Sequence, residues 1–447
     1  MKRLGVLAAL LAVGAFAGPA RAAYAPVDHP GPPLDVPPGK LAASLKCGQG
    51  VDNAIRAPVL LVPGTGATAD DNFSWNYEPA FNTLGIPWCA VTFPSAGNND
   101  IQINGEYVVY AIRTMFARAG RRISIIGHSQ GGMVPRWALR WWPDTRPMVD
   151  DVIGFAGTNH GTTMAHADCP QGCIPADSQQ ASDSQFIKAL NSDQETFPGI
   201  SYTEVYTHND EEVQPNQNNN GTSSLHGGGG RITNVAVQDI CPADPVEHLG
   251  IGTVDNVAYA LAIDALGHDG PADPSRILPS VCSQPFMPGV NPATFPTDSA
   301  KAAFDVETST GDTVTHEPPL ACYVFAACSA TAGGPGAPGT SSSGGIQGIS
   351  PANPVGCANP SRLVFPLHAR GGRRVVRARV LVDGRRVKVV RGRRLTKVSV
   401  VGLPPLGVHT IRIVARARSG RRSVTIRRYR GCAKPTRVKR RLRRRRR

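Results

Sequence analysis

The chain has 447 residues, 41% of them hydrophobic, with a formal net charge of +15 and a pI near 9.7. That length gives room for two or three domains, the first able to bury a full core. Beyond the N-terminal segment no stretch reads as apolar enough to span a bilayer, so the mature protein is expected to be released from the membrane.

The N-terminus begins Met1-Lys2-Arg3, runs apolar from Leu4 to Phe16 and reaches Ala20-Arg21-Ala22. A charged start, a short apolar run and an A-x-A site predict a signal peptide over 1–22, hence an exported protein. All ten cysteines (Cys47, Cys89, Cys169, Cys173, Cys241, Cys282, Cys322, Cys328, Cys357 and Cys432) follow it, an even set that predicts disulfides rather than thiol chemistry. Cys169 and Cys173 have no second pair at ligand spacing, so no zinc site is expected.

Residues 23 to about 56 are Pro-rich and read as extended. Ala57–Val62 has a buried-strand pattern, followed by Pro63-Gly64-Thr65-Gly66. Asp71–Leu84 reads as a helix, Trp88–Phe93 as a strand, and Glu106–Ala119 as a helix closed by Gly120. Next, Arg122–Ile126 ends in Gly127-His128-Ser129-Gln130-Gly131, and Val134–Trp142 reads as a helix. A strand, a tight turn and a helix around Gly-x-Ser-x-Gly point to a nucleophilic serine lifted above a sheet. Val149–Phe155, Thr203–Tyr206 and Ile232–Val237 continue the strands, and Val257–Leu266 is a helix. The polar stretch Ala156–Gly199 suits a lid or pocket wall. Alternation of strand and helix predicts an α/β fold, a mostly parallel doubly wound sheet with ligands bound beyond the strand ends.

A serine hydroxyl needs a base, and the base an acid that orients it. In such sheets the chain order is serine, acid, histidine. The acids in position are Asp210, Glu211, Glu212 and Asp239. Asp210 is favoured because it leaves the strand ending at Tyr206. The histidines are His226, His248 and His268. His226 abuts four glycines and His268 suits a helix C-terminus, leaving His248. The N–H of Gln130 and the amide and hydroxyl of Thr65 are the candidate oxyanion donors. No cofactor or metal motif is present.

Residues 329–356 are Gly/Pro/Ser-rich and read as a linker after a catalytic domain over 23–328. From Ser361 onward 31 Lys/Arg face one acid, Asp383, while the residues before carry 17 basic and 32 acidic side chains. That asymmetry marks a domain boundary. Period-two runs such as Ala378-Val380-Val382, Val387-Val389 and Ile411-Ile413-Ala415 predict a basic, Ig-like β-sandwich over 357–435 with Arg on its outer face. Asp383-Gly384 supplies a hairpin turn, Cys357 and Cys432 are placed to tie the two ends, and 436–447 is a polybasic tail. Its expected partners are an anionic cell-surface polymer or lipid headgroups. Tyr429 is the sole aromatic interleaved among the arginines, which weighs against nucleic acid.

These residues resemble the Candida antarctica lipase B-like family of α/β-hydrolase serine lipases, over about 41–328. The resemblance is carried by Leu61–Gly66, Glu106-Tyr107-Val108, Ser129–Gly132, Val205-Tyr206 leading to Asp210-Glu211, Val213-Gln214-Pro215, Cys241-Pro242, and His248 with Gly250. It implies Ser129, Asp210 and His248 as the triad and Thr65 with Gln130 as the oxyanion hole. It also implies the disulfides Cys47–Cys89 and Cys241–Cys282, and a third bridge matching Cys322–Cys328. Cys169–Cys173 has no counterpart. Where the fungal lipase has a tryptophan before the serine, this chain has His128, so broader tolerance of bulky secondary alcohols is expected. Phe155–Thr162 looks more like bacterial lipases.

The reading is a secreted, monomeric serine hydrolase of carboxylic esters, triacylglycerols or similar lipid esters, with no cofactor. Its rivals are an acyltransferase or polyester depolymerase with the same triad, and a surface polyanion binder with an idle hydrolase domain.

Overall fold

The computed structural model describes residues 23–165, 169, 172–329, 362–367, 375–382, 385–401, 406–417 and 422–432. The expected signal segment, the linker after Ser329, Cys357, the Asp383-Gly384 turn and the basic tail lie outside the described residues. The chain divides into two compact units, Met1–Gly336 and Ala337–Arg447.

The first unit is an α/β fold around a seven-stranded sheet. Its strands are β1 (Leu45–Cys47), β2 (Val59–Val62), β3 (Trp88–Val91), β4 (Ile123–His128), β5 (Val149–Phe155), β6 (Ser201–Tyr206) and β7 (Arg231–Ala236). They lie in the order β1-β3-β2-β4-β5-β6-β7, all parallel except β1. β2 is wholly apolar because both of its faces are covered. Leu60 and Val62 enter one core layer, Val59 and Leu61 the other. On the first face pack two helices, Ile101–Ala119 and Gln130–Trp141, through Ile112, Met115, Val134 and Trp137. On the second pack Tyr77–Leu84 and Asn256–Gly267.

Several elements differ from their sequence reading. The segment from Ala69 to Leu84 is two helices, Ala69–Phe73 and Tyr77–Leu84, not one. Pro79 lacks an N–H and would break a continuous helix, whereas after a restart at Asn76 it falls in the first turn, where N–H groups have no helical acceptor. The next helix starts at Ile101, five residues before expectation, because Asp100 accepts from the Gln102 N–H at 3.0 Å. The Pro-rich start also holds β1, whose Cys47 pairs with Cys89 across the sheet and is disulfide-bonded to it. The stretch His248–Gly267 is long and apolar enough by composition to cross a membrane, contrary to expectation, yet 72% of its most apolar window is buried in the fold.

Among the described residues, four disulfides join Cys47–Cys89, Cys169–Cys173, Cys241–Cys282 and Cys322–Cys328.

The second unit is antiparallel. Strands β8 (Arg362–Pro366), β9 (Val375–Val382), β10 (Arg385–Leu395), β11 (Lys397–Val401), β12 (Leu406–Ala417) and β13 (Arg422–Cys432) form a four-stranded sheet, β10-β9-β12-β13, and a β11-β8 pair. Ala378, Val380, Val382, Ile411, Ile413 and Ala415 share one core with Val398 and Val400. Val387 and Val389 do not join it; they are 53% and 38% exposed. A register irregularity between Arg386 and Lys388 shifts the phase, so that Val390, opposite Ala378, takes the inward position.

Candidate active site

The sheet ends at Ser129. β4 finishes at His128, and Ser129 turns the chain into the helix Gln130–Trp141 with φ 57° and ψ −124°. A positive φ in a residue with a side chain costs roughly 1–3 kcal/mol and persists only where the surroundings enforce it. Here the Ser129 N–H donates to the Phe155 carbonyl at 2.9 Å, and the Gly132 N–H donates to the Ser129 carbonyl at 2.9 Å. The glycines around it are needed for space. A Cβ on Gly127 would lie 1.8 Å from the Gly131 carbonyl oxygen, and one on Gly131 would lie 2.1 Å from that of Val62.

Ser129 opens into a cavity of about 740 Å³ that is also lined by Thr65, Gln180, Val213 and His248. His248 begins a one-turn helix whose cap is Glu247; the carboxylate accepts from the N–H groups of Leu249 and Gly250 at 2.7 and 2.9 Å. Its Nδ1 lies 3.0 Å from Asp210 Oδ1 and 3.1 Å from Oδ2. Asp210 is buried, and its Oδ1 accepts from the backbone N–H groups of Glu212 and Val213 at 3.1 and 2.7 Å. With Nδ1 directed at a carboxylate, the proton sits there and Nε2 is the basic nitrogen. Burial pushes the His248 pKa down, but Asp210, Glu211 and Glu212 together raise it above the usual histidine value. Among the described residues, neither Ser129 Oγ nor His248 Nε2 makes a hydrogen bond. Unliganded sites of this kind often close that contact only with substrate.

Thr65 Oγ1 accepts from Gln130 Nε2 at 2.8 Å and from Gln180 Nε2 at 2.9 Å. Both lone pairs are thereby used, so the hydroxyl hydrogen is left to donate elsewhere. Asn104 Nδ2 donates to Gln130 Oε1 at 2.8 Å and fixes that side chain. The Gln130 N–H is the first of its helix and has no intrahelical acceptor.

Of the predicted residues, the structure brings together Ser129, Asp210, His248, Thr65 and Gln130. Of the other candidates, Glu211 and Glu212 also line the cavity, while Asp239, His226 and His268 lie outside its lining. Glu211 accepts the His248 N–H at 3.1 Å, and Asp239 caps its own helix through the Ala236 N–H. The His226 N–H donates to Glu195 at 2.7 Å, and His268 Nδ1 bonds the Asp264 carbonyl one helical turn back. The expected pocket wall 156–199 supplies Thr158, Ile174 and Gln180. Sequence reasoning missed Gln180, which carries no motif. It also missed the helix Phe295–Thr308, which brings Ala302, Ala303 and Val306 to the cavity. The small and apolar residues at 302, 303 and 306 recur at helical spacing and are the signal that could have shown it.

The model of the family described as Lipase (class 2) matches residues 56–234. Lipase B of Pseudozyma antarctica is 33% identical over 238 residues, which cover 53% of this chain and 69% of that protein. The chain belongs to the lipase B family. Lipase B-type chains are carboxylic-ester hydrolases, and so is this one. The crystal structure of Aspergillus fumigatus lipase B superposes with a TM-score of 0.60 at 29% identity, covering 65% of this chain and 73% of that one. In lipase B terms the basic second unit is additional material beyond the matched class 2 segment.

Proposed function

We propose that this lipase B-family chain is an exported hydrolase of lipid-like carboxylic esters, acylglycerols in the first place, acting through Ser129, His248 and Asp210. The observation that carries the reading is the Asp210–His248 pair at 3.0 Å, facing the same cavity as the strained Ser129. Ser129 Oγ attacks the acyl carbon while His248 Nε2 takes its proton. Asp210 holds the imidazole and stabilises its charged form. The tetrahedral oxyanion is met by the N–H groups of Thr65 and Gln130 and by the Thr65 hydroxyl. His248 returns the proton to the departing alcohol, leaving an acyl-Ser129. Water, deprotonated by His248, then releases the carboxylic acid and restores the hydroxyl.

Ala302, Ala303, Val306 and Ile174 give the cavity an apolar wall suited to an acyl chain. Four disulfides and the charged-then-apolar N-terminus support export. The basic unit is read as the part that meets an anionic partner, a cell-surface polymer or lipid headgroups.

A phosphonate probe that labels serine hydrolases tests the assignment. Labelling at Ser129, abolished by Ser129→Ala together with hydrolysis of p-nitrophenyl esters, is expected. Near-normal ester hydrolysis by the variant would remove the mechanism.

A further inference from the structure

The four-stranded sheet of the second unit has two faces of opposite character. One buries Ala378, Val380, Ile413 and Ala415. On the other, the registers place Arg391 of β10 opposite Arg377 of β9, Arg377 opposite Arg416 of β12, and Arg416 opposite Arg422 of β13. One ladder row crossing all four strands is therefore arginine at every position. The row beside it reads Val389, Arg379, Val414, Val424. Cationic positions are thus densest along one line, with Arg379 one row away and Arg412 two rows away by register on the same face. At roughly 4.8 Å between strands the line is about 14 Å long.

Like charges directly opposite one another destabilise a sheet. After Ser361 the unit holds 31 Lys/Arg and one acidic side chain, Asp383. Arg391 and Arg416 are exposed and Arg377 is partly buried. Guanidinium groups stay charged at every working pH and receive phosphate oxygens in pairs. A bound string of anions would turn the repulsive row into an attractive one.

We infer that this row is a docking track for a linear, base-free phosphodiester polymer laid across the strands, successive phosphates meeting successive arginines. The inference rests on the anionic-partner reading above and selects the polymer over the lipid surface, because the charges are densest along one line and the adjacent row is mostly valine. Nucleic acid is disfavoured by the position of Tyr429. It pairs in register with His409, outside the arginine row, and every position of that row is arginine, so the row itself supplies no aromatic to stack a base.

The test uses the full chain and two charge-matched triple variants. One removes the row (Arg377→Gln, Arg391→Gln, Arg416→Gln); the other removes exposed charge outside it (Arg393→Gln, Arg394→Gln, Lys397→Gln). Binding to poly(glycerol phosphate) is measured against salt, with vesicles of phosphatidylglycerol and a single-stranded DNA oligomer as competitors. The row variant should lose tenfold or more in affinity, and the slope of log K against log salt should fall by about 2. The control should lose under threefold, and both variants should keep full esterase activity and folding. Equal losses in the two variants would overturn the row, as would vesicles or DNA outcompeting the polymer. A wild-type chain that binds no polyanion at low salt would instead overturn the anionic-partner reading itself.

Discussion

His128 Nε2 lies 2.8 Å from the backbone carbonyl oxygen of His248, 120 residues along the chain. A carbonyl accepts, so the nitrogen donates, and the proton of this imidazole is fixed on Nε2. Burial, followed by the nearby His248, depresses the His128 pKa to about 3, so the ring is neutral. A Cβ on Gly252 would fall 2.2 Å from the same ring, so the helix bearing His248 packs directly on it. The residue before the serine thus anchors the turn that carries His248. His128→Phe should lower kcat on a short ester by about tenfold with little change in KM. The proton-transfer step alone would then be slowed. A change confined to KM would instead assign His128 to substrate contact.

Ser129, the proposed nucleophile, has a strained backbone. Ser129→Ala should lower kcat by several orders of magnitude, on the order of 10⁶ where a triad acts as one unit. Ser129→Gly should be equally inactive yet more stable, by about 1 kcal/mol, because glycine adopts φ 57° freely. Thermal melts of the two variants measure the difference.

Thr65 is held by two glutamines, which leaves its hydroxyl hydrogen to the cavity. Thr65→Val keeps the backbone N–H and removes that donor. A loss of about 10²-fold in kcat is expected, with KM nearly unchanged. Gln180→Ala should cost less, since it loosens Thr65 without removing a donor. Steady-state kinetics on one p-nitrophenyl ester compares all three proteins.

In the proposed mechanism His248 acts in its neutral form. Nearby carboxylates favour the imidazolium, so they move the acid limb of the rate profile to higher pH. Removing one negative charge must do the reverse. Glu212→Gln should shift the acid midpoint of kcat/KM to lower pH while leaving the plateau largely intact. Asp210→Asn should shift it further and lower the plateau by about 10⁴-fold. A pH–rate profile from 4 to 9 reads both effects.

Glu204 lies buried on β6, its carboxyl against Gly154, and burial pushes its pKa up to about 8, with Arg136 opposing. A carboxyl with a folded pKa above its unfolded value keeps its proton in the fold while the unfolded chain has already lost it. Stability therefore falls as pH rises from about 4 to about 8 and levels beyond, by about 1.4 kcal/mol for each pKa unit of displacement. Glu204→Gln should match the wild type near pH 4 and exceed it at pH 8. Urea denaturation at the two pH values measures the gap.

Much of this was written locally. The Gly127–Gly131 pentapeptide needs no distant information, because its glycines are demanded by contacts inside a strand-turn-helix. Even the collision of Gly131 with Val62 involves the neighbouring strand that any such sheet supplies. Short continuous apolar runs likewise gave β2, β4, β5 and β6 to within a few residues, since buried strands in a parallel sheet are apolar on both faces. The order serine, acid, histidine left four acids and three histidines, of which the strand ending at Tyr206 favoured Asp210 and the surroundings of His226 and His268 favoured His248.

What the chain alone left open depended on partners remote in sequence. Gln180 has meaning only through Thr65, 115 residues away. His128 has its role only through the His248 carbonyl. Neither contact leaves a periodic trace, because a single polar side chain meeting one distant atom has no spacing to repeat. The phase of β10 was also decided outside itself, by a register shift against β9 that turned Val387 and Val389 outward and set Arg391 beside Arg377. Local pattern fixes which residues alternate; pairing between strands fixes which face each alternating set occupies, and that is a tertiary choice.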